Sequence, residues 1–236
     1  MTLPAQSLAG ATIAFDLDGT LVDTAPDLIG ALNLVLLDRG LPPAPMDATR
    51  HLVGGGVKAL IQRGFKLAGE PLEPAALDAL TGQFIAYYLG RIADESTVFP
   101  GVVPALEQLS AAGATLCVCT NKRTQLSLAL LDALDLTRHF KVVFGADLAP
   151  APKPDPRCYL AAIAAGGGDP ARSLMVGDSD NDVLSAQGAG APVVVVPFGY
   201  SVHPVTELGA DALIDHFDQL PEVAARLLAE RARNAA

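Results

Sequence analysis

The chain has 236 residues, of which 50% are apolar and 18% charged, with a formal net charge of −10. That length and apolar content can bury a core without disulfide or metal staples, and the composition excludes a disordered chain or a solvated coiled coil. The negative charge disfavours nucleic acid and anionic membranes as partners, although a bound cation or a helix N-terminus can still make one site attractive to an anion.

The first apolar run, Ala11–Phe15, reads as a strand buried on both faces. From Thr24 to Ser96 only helical patterns follow: Pro26–Arg39, a short piece near Asp47–Leu52, Val57–Leu67 and Ala75–Ile92. Helices and strands then alternate as helix Pro104–Ala112, strand Leu116–Val118, helix Thr124–Leu134, strand Val142–Phe144, helix Arg157–Ala165 and strand Leu174–Val176. A helix at Asp182–Gln187, strands at Val193–Val196 and Ala212–Ile214, and a closing helix at Pro221–Arg233 complete the series. Such an alternation predicts an α/β fold: a doubly wound parallel sheet, Rossmann-like, with crossover helices. The helical run after the first strand reads as an inserted domain over residues 24–95. The core is then discontinuous, residues 1–23 and 96–236, with hinges near Asp23–Thr24 and Ser96–Pro100.

Open parallel sheets bind ligands beyond the carboxyl ends of their strands. Those ends read Asp16-Leu17-Asp18-Gly19-Thr20, Thr120-Asn121, Lys153-Pro154 and Gly177-Asp178-Ser179-Asp180-Asn181-Asp182. Asp16 and Asp18 share a face of an extended chain, and keeping both ionised calls for a cation. Mg²⁺ takes oxygen ligands such as one or two carboxylates, and Asp178 would add another. Alone, Asp18-Gly19 is a turn signal, Thr120-Asn121 a helix cap before a helix starting near Lys122, and Lys153 a surface lysine in a proline-stiffened loop. Their joint occurrence at strand ends favours the site. Asp182 in the first turn of a helix can orient its neighbours, and Asp180 reads as a cap.

Asp178, Asp180 and Asp182 do not open a calcium loop, because Val183 and Ala189 stand where glycine and glutamate are required. Gly54-Gly55-Gly56-Val57-Lys58-Ala59 matches a dinucleotide fingerprint formally, but no strand precedes it. Gly55 and Gly56 are read instead as a flexible helix start that can offer N–H groups to a substrate, and Lys58 as a charge near it. His51, His139, His203 and His216 show no ligand spacing.

The four strand-end segments, extended at the first to Asp16-Leu17-Asp18-Gly19-Thr20-Leu21-Val22-Asp23-Thr24 and at the third to Lys153-Pro154-Asp155-Pro156, resemble the motifs of the haloacid dehalogenase superfamily. Within it, the chain most resembles phosphoglycolate phosphatases, through that nonapeptide, Gly54–Gly56, Gly199-Tyr200 and Ala212-Leu213-Ile214-Asp215. The resemblance implies a helical cap at the insertion and Asp16 as a nucleophile forming an aspartyl-phosphate. It implies that Asp18 is the acid and then the base, that Thr120 and Asn121 hold phosphoryl oxygens, and that Lys153 offsets charge. Mg²⁺ would be held by Asp16, the Asp18 carbonyl and Asp178, with Asp182 in support. The substrate would be a small phosphorylated metabolite, 2-phosphoglycolate first among them. The alternatives are a β-phosphoglucomutase-like mutase, disfavoured by Thr20 where those enzymes carry an apolar residue, a pyrophosphatase or sugar-phosphate phosphatase, and a non-catalytic phosphometabolite-binding module.

Cys117, Cys119 and Cys158 have neither a disulfide nor a zinc pattern, and Cys117 and Cys119 read as small buried strand residues. No basic-then-apolar leader and no bilayer-length apolar run occurs. A reduced, cytoplasmic protein, monomer or homodimer, with no membrane partner, is expected.

Overall fold

The computed structural model describes residues 4 and 6–234; the remaining terminal positions of the expected core lie outside the described residues. Strand β1 (Thr12–Phe15) is buried at every position, as an apolar run without polar alternation requires when both faces are covered. A two-residue strand β2 (Val22–Asp23) follows, then α1 (Ala25–Leu37), the single turn α2 (Met46–Thr49), α3 (Val57–Leu67) and α4 (Leu77–Leu89). Strand β3 (Thr97–Val98) ends this helical run. The alternating part comprises α5 (Val102–Ala111), β4 (Thr115–Cys119), α6 (Thr124–Ala133), β5 (Val142–Phe144) and α7 (Pro156–Ala165). It continues through β6 (Ser173–Gly177), α8 (Asp180–Gly188), β7 (Val193–Val195), β8 (Ala212–Leu213) and α9 (Leu220–Asn234).

Six strands form one sheet in the order β5-β4-β1-β6-β7-β8, and every pairing within it is parallel. The chain adds β4 and β5 on one side of β1 and β6 to β8 on the other. The carboxyl ends of β1, β4 and β6 therefore flank a topological switch point, where such sheets leave a crevice. Phe15 is level with Val118 and with Val176, so Asp16, Thr120 and Asp178 leave their strands at one rim.

Alternate strand residues go to opposite faces. Ile13, Phe15, Leu116, Val118, Leu174 and Val176 pack with α5 and α9, whereas Ala14, Cys117, Cys119 and Met175 pack with α7 and α8. A third apolar cluster joins α1, α3 and α4 around Leu32, Ile61 and Phe84, and takes in Leu126 of α6 and Tyr200. Among the described residues, no helix is long and apolar enough to cross a membrane.

The structure departs from the sequence reading in three local respects. The pattern at Ala75–Ile92 divides into a 3-10 turn at Pro74–Ala76, opened by Pro74, and α4, which stops at the C-cap Gly90. Helix α6 starts at Thr124 rather than near Lys122, because Arg123 is extended and the Thr124 N–H is capped by Asp147 Oδ1 at 2.6 Å; Thr120 and Asn121 are not its cap. Both expected hinges contain a strand: β2 and β3 pair antiparallel, Val22 opposite Val98 and Asp23 opposite Thr97.

Candidate active site

The loop after β1 begins with Asp16, whose N–H still bonds Val176 O at 2.9 Å, and it turns at Gly19, φ +84°. A Cβ at Gly19 would lie 2.5 Å from Asp178 Oδ2, so only glycine allows both the left-handed turn and this close approach. Asp178, at the end of β6, accepts from Thr20 Oγ1 at 3.2 Å and from the Tyr200 N–H at 2.6 Å. Asp182 in the first turn of α8 accepts from the backbone N–H groups of Asp178 and Ser179 through Oδ2, at 3.2 and 3.1 Å. Asp182 thus fixes the loop that presents Asp178. Asp16, Asp178 and Asp182 are buried and offer carboxylate oxygens all within 4.8 Å of one another.

Each of the first two aspartates meets its own lysine. Lys153 lies 3.0 Å from Asp16 Oδ1, donates to Asp182 Oδ1 at 2.6 Å and to the Cys119 carbonyl at 2.8 Å, and is almost fully buried. Its approach to Asp16 lacks hydrogen-bond alignment, so Asp16 Oδ1 has no hydrogen-bond partner among the described residues. Asp18 turns away from this cluster to Lys122, whose Nζ donates to its Oδ1 at 2.8 Å. Burial pushes the Asp16 carboxyl up to about 6, with Lys153 opposing and Asp182 and Asp18 adding to the rise. Burial, then Asp182 and Asp16, push Asp178 well above the carboxylate range. Burial works against the charge on Lys153, and Asp16 and Asp182 more than restore it.

Thr120 is buried at the end of β4, and its Oγ1 accepts from the Lys122 N–H at 3.2 Å. The Asn121 side chain clamps the Lys153 backbone, accepting from its N–H at 2.8 Å and donating to its carbonyl at 3.0 Å. The Lys153 loop is thereby tied to β4. A cavity of about 270 Å³ opens on this rim, lined by Asp16, Asp18, Thr120, Asn121 and Lys122 from the sheet side and by Gly54, Gly55, Gly56 and Lys58 from the helical run. Gly56 caps α3 with φ +81°, which suits a tight helix start. Lys58 is exposed and pairs with Asp78 at 2.7 Å. Asp180 is not a cap but pairs with His203 at 2.7 Å, and Ser179 is the N-cap of α8.

Sequence reasoning missed three residues. Lys122 follows Thr120-Asn121 directly but carried no motif signal beyond its position. Tyr200 accepts from the N–H groups of Thr24 and Ala25 at 2.7 and 2.9 Å and donates to Asp23 Oδ1 at 2.8 Å. Its backbone reaches Asp178, so it links the start of α1 to the carboxylate cluster. Asp27, fully buried on α1, accepts from the N–H groups of Glu95 and Ser96 at 3.0 and 2.8 Å and from Ser96 Oγ at 2.7 Å. Nothing in the spacing of residues 27 and 96 signals that contact.

The donor set fits a hard divalent cation. Three buried carboxylates converge there on the single Lys153 ammonium, one carboxylate oxygen is buried without a hydrogen-bond partner among the described residues, and like charges that outnumber their counter-charge out of water call for a further positive charge.

A model of haloacid dehalogenase-like hydrolases matches residues 11–190. The phosphoglycolate phosphatase of Caulobacter vibrioides is 58% identical over 221 residues, 94% of this chain and 93% of that protein. Among solved structures, a protein described as a predicted phosphoglycolate phosphatase from Haemophilus somnus superposes with a TM-score of 0.84 at 32% identity, covering 92% of this chain and 98% of its own. CbbY from Rhodobacter sphaeroides, solved in complex with phosphate, gives 0.79 at 26% identity over 92% of this chain and 99% of its own.

Proposed function

The chain belongs to the haloacid dehalogenase-like hydrolases, and on that premise we propose that it is a Mg²⁺-dependent phosphatase of small phosphorylated metabolites, with 2-phosphoglycolate as its substrate. The observation that carries the reading is Asp16, a buried carboxylate beside Lys153, Asp178 and Asp182 that opens onto the same cavity as Thr120. The name shared by the Caulobacter relative and the Haemophilus structure supports the substrate.

In this reading an Asp16 carboxylate oxygen attacks phosphorus, the bond from phosphorus to the ester oxygen breaks, and the phosphoryl group passes to Asp16. Asp18 gives its proton to the departing oxygen and then takes one from the water that cleaves the aspartyl-phosphate. The Thr120 hydroxyl and the Asn121 N–H hold the phosphoryl oxygens, and Lys153 offsets the negative charge on Asp16 as the anionic substrate arrives. Asp16, the Asp18 carbonyl and Asp178 would hold Mg²⁺, with Asp182 in support; the ion supplies the charge that lets a carboxylate meet a phosphate. Residues 1–23 and 96–236 form the catalytic core in this reading, and residues 24–95 the cap, whose Gly55, Gly56 and Lys58 face the substrate. The setting we infer is cytoplasmic, as a monomer or homodimer.

Phosphate release from a panel of phosphorylated metabolites with Mg²⁺ tests the reading. Wild type turns over 2-phosphoglycolate in preference to sugar phosphates and pyrophosphate, and Asp16→Asn lowers the rate by roughly 1,000-fold or more while melting cooperatively. Comparable turnover by the two proteins overturns the assignment.

A further inference from the structure

Lys122 takes no part in the chemistry above, yet it is the buried cation of the cavity wall. The positive charges lining the cavity among the described residues are Lys58, Lys122 and Arg123. Lys58 and Arg123 are exposed, whereas Lys122 is 5% exposed. Its ammonium sits 2.8 Å from Asp18 Oδ1 and 4.6 Å from the ring centre of Tyr88, which comes from α4. Burial opposes the charge on Lys122, and Asp18 and Tyr88 more than restore it. The Tyr88 hydroxyl is itself fully buried and without a hydrogen-bond partner among the described residues. Buried polar groups in a purely structural cluster have their partners filled. Here the Lys122 cation lies at the wall of a small cavity, with the buried Tyr88 ring packed against it.

The ion pair also sets a condition on Asp18. That carboxyl must meet the leaving oxygen of the ester, but it is engaged by Lys122. Breaking a buried ion pair is costly unless one partner receives a replacement. A substrate whose alcohol half carries its own carboxylate brings that replacement, and a neutral alcohol half does not.

We propose that Lys122 is the specificity residue that reads a carboxylate on the leaving-group side of the phosphoester, exchanging Asp18 for the substrate's carboxylate as the ester binds. The inference rests on the phosphatase reading and narrows its substrate class to short phosphoesters with an anionic alcohol half. Binding and release of Asp18 are then one event. Selectivity follows because only a carboxylate-bearing ester releases the Asp18 carboxylate from Lys122, after which Asp18 takes a proton from solvent water and passes it to the leaving oxygen.

The test compares 2-phosphoglycolate with ethyl phosphate, which has the same two-carbon alcohol half without the carboxylate, using the full chain with Mg²⁺. Lys122→Met lowers kcat/KM for 2-phosphoglycolate roughly 10- to 100-fold more than for ethyl phosphate, the range of a charged hydrogen bond. Lys122→Arg recovers part of the difference. Equal losses on both esters overturn the proposal and make Lys122 a general electrostatic or structural group. A wild type that hydrolyses neither ester overturns the phosphatase reading along with it, so the two failures are told apart. A second arm needs no variant: glycolate inhibits wild type competitively at concentrations where ethanol does not, and equal absence of inhibition by both refutes the carboxylate subsite even if Lys122→Met fails to fold.

Discussion

Asp16 carries a burial cost that its lysine does not remove. Its carboxyl is pushed from the ordinary 3.8 up to about 6 in the folded state, by burial first, so the folded protein binds this proton more tightly than the unfolded chain. The stability this contributes is present below about pH 4 and is lost as pH rises through about 6. Asp178 shifts in the same direction. Metal-free protein therefore melts at lower temperature at pH 8 than the Asp16→Asn variant, by an amount on the order of 2 kcal/mol in stability, and the two converge toward pH 4. Thermal melts in EDTA across that range check this, and parallel curves contradict it. Gly199 makes a second point at this scale, because a Cβ there would overlap the Asp178 carboxylate. Gly199→Ala is expected to weaken Mg²⁺ binding by about tenfold or more, as displaced support of a ligand does, and titration calorimetry with Mg²⁺ reads it directly. The aspartates and Lys153 were legible because they leave successive strands at the ends where ligands bind. Lys122 and Tyr200 were not, since their importance lies in contacts with Asp18 and with Asp23, Thr24 and Ala25 that only the folded chain brings about.

At the level of elements, the helices α1, α3 and α4 and the six sheet strands follow from apolar periodicity, and α3 runs Val57–Leu67 as the pattern predicts. What periodicity lacks is the means of holding the two ends of the helical run together. A ladder of two residue pairs, Val22 with Val98 and Asp23 with Thr97, is too short to leave a pattern. The Asp27 carboxylate adds a strut, binding residues 95 and 96 back to α1. Asp27→Ala leaves those N–H groups and Arg91 without their acceptor, and is expected to destabilise the protein by about 3 kcal/mol. Chemical denaturation measures this, and a change within about 0.5 kcal/mol, as at an ordinary surface site, rules the strut out. Asn121 works similarly within the sheet part, where its amide fastens the Lys153 backbone; its sequence context suggested a helix cap, but the cap of α6 is Asp147.

Taken as a whole, a molecule of net charge −10 concentrates several carboxylates at one rim and, among the described residues, answers them with two buried lysines, Lys122 and Lys153. A divalent cation bound at the carboxylate cluster would resolve this imbalance locally. Removing metal with EDTA is expected to abolish phosphate release, and adding Mg²⁺ to raise the melting temperature at pH 8; melting unaffected by Mg²⁺ argues against the carboxylate cluster as its site. The doubly wound parallel sheet was legible as an alternation of elements, whereas its strand order and the ion pairs across the rim depend on crossovers, register and loop path. The short ladder between Val22–Asp23 and Thr97–Val98 has a further consequence. Antiparallel neighbours are the arrangement that a tight turn of about two residues ordinarily joins, so everything between them departs from and returns to nearly one point. The intervening residues 24–96 are therefore a contiguous stretch of gene that another of similar end-to-end span can replace as a cassette while the six-stranded sheet keeps its frame.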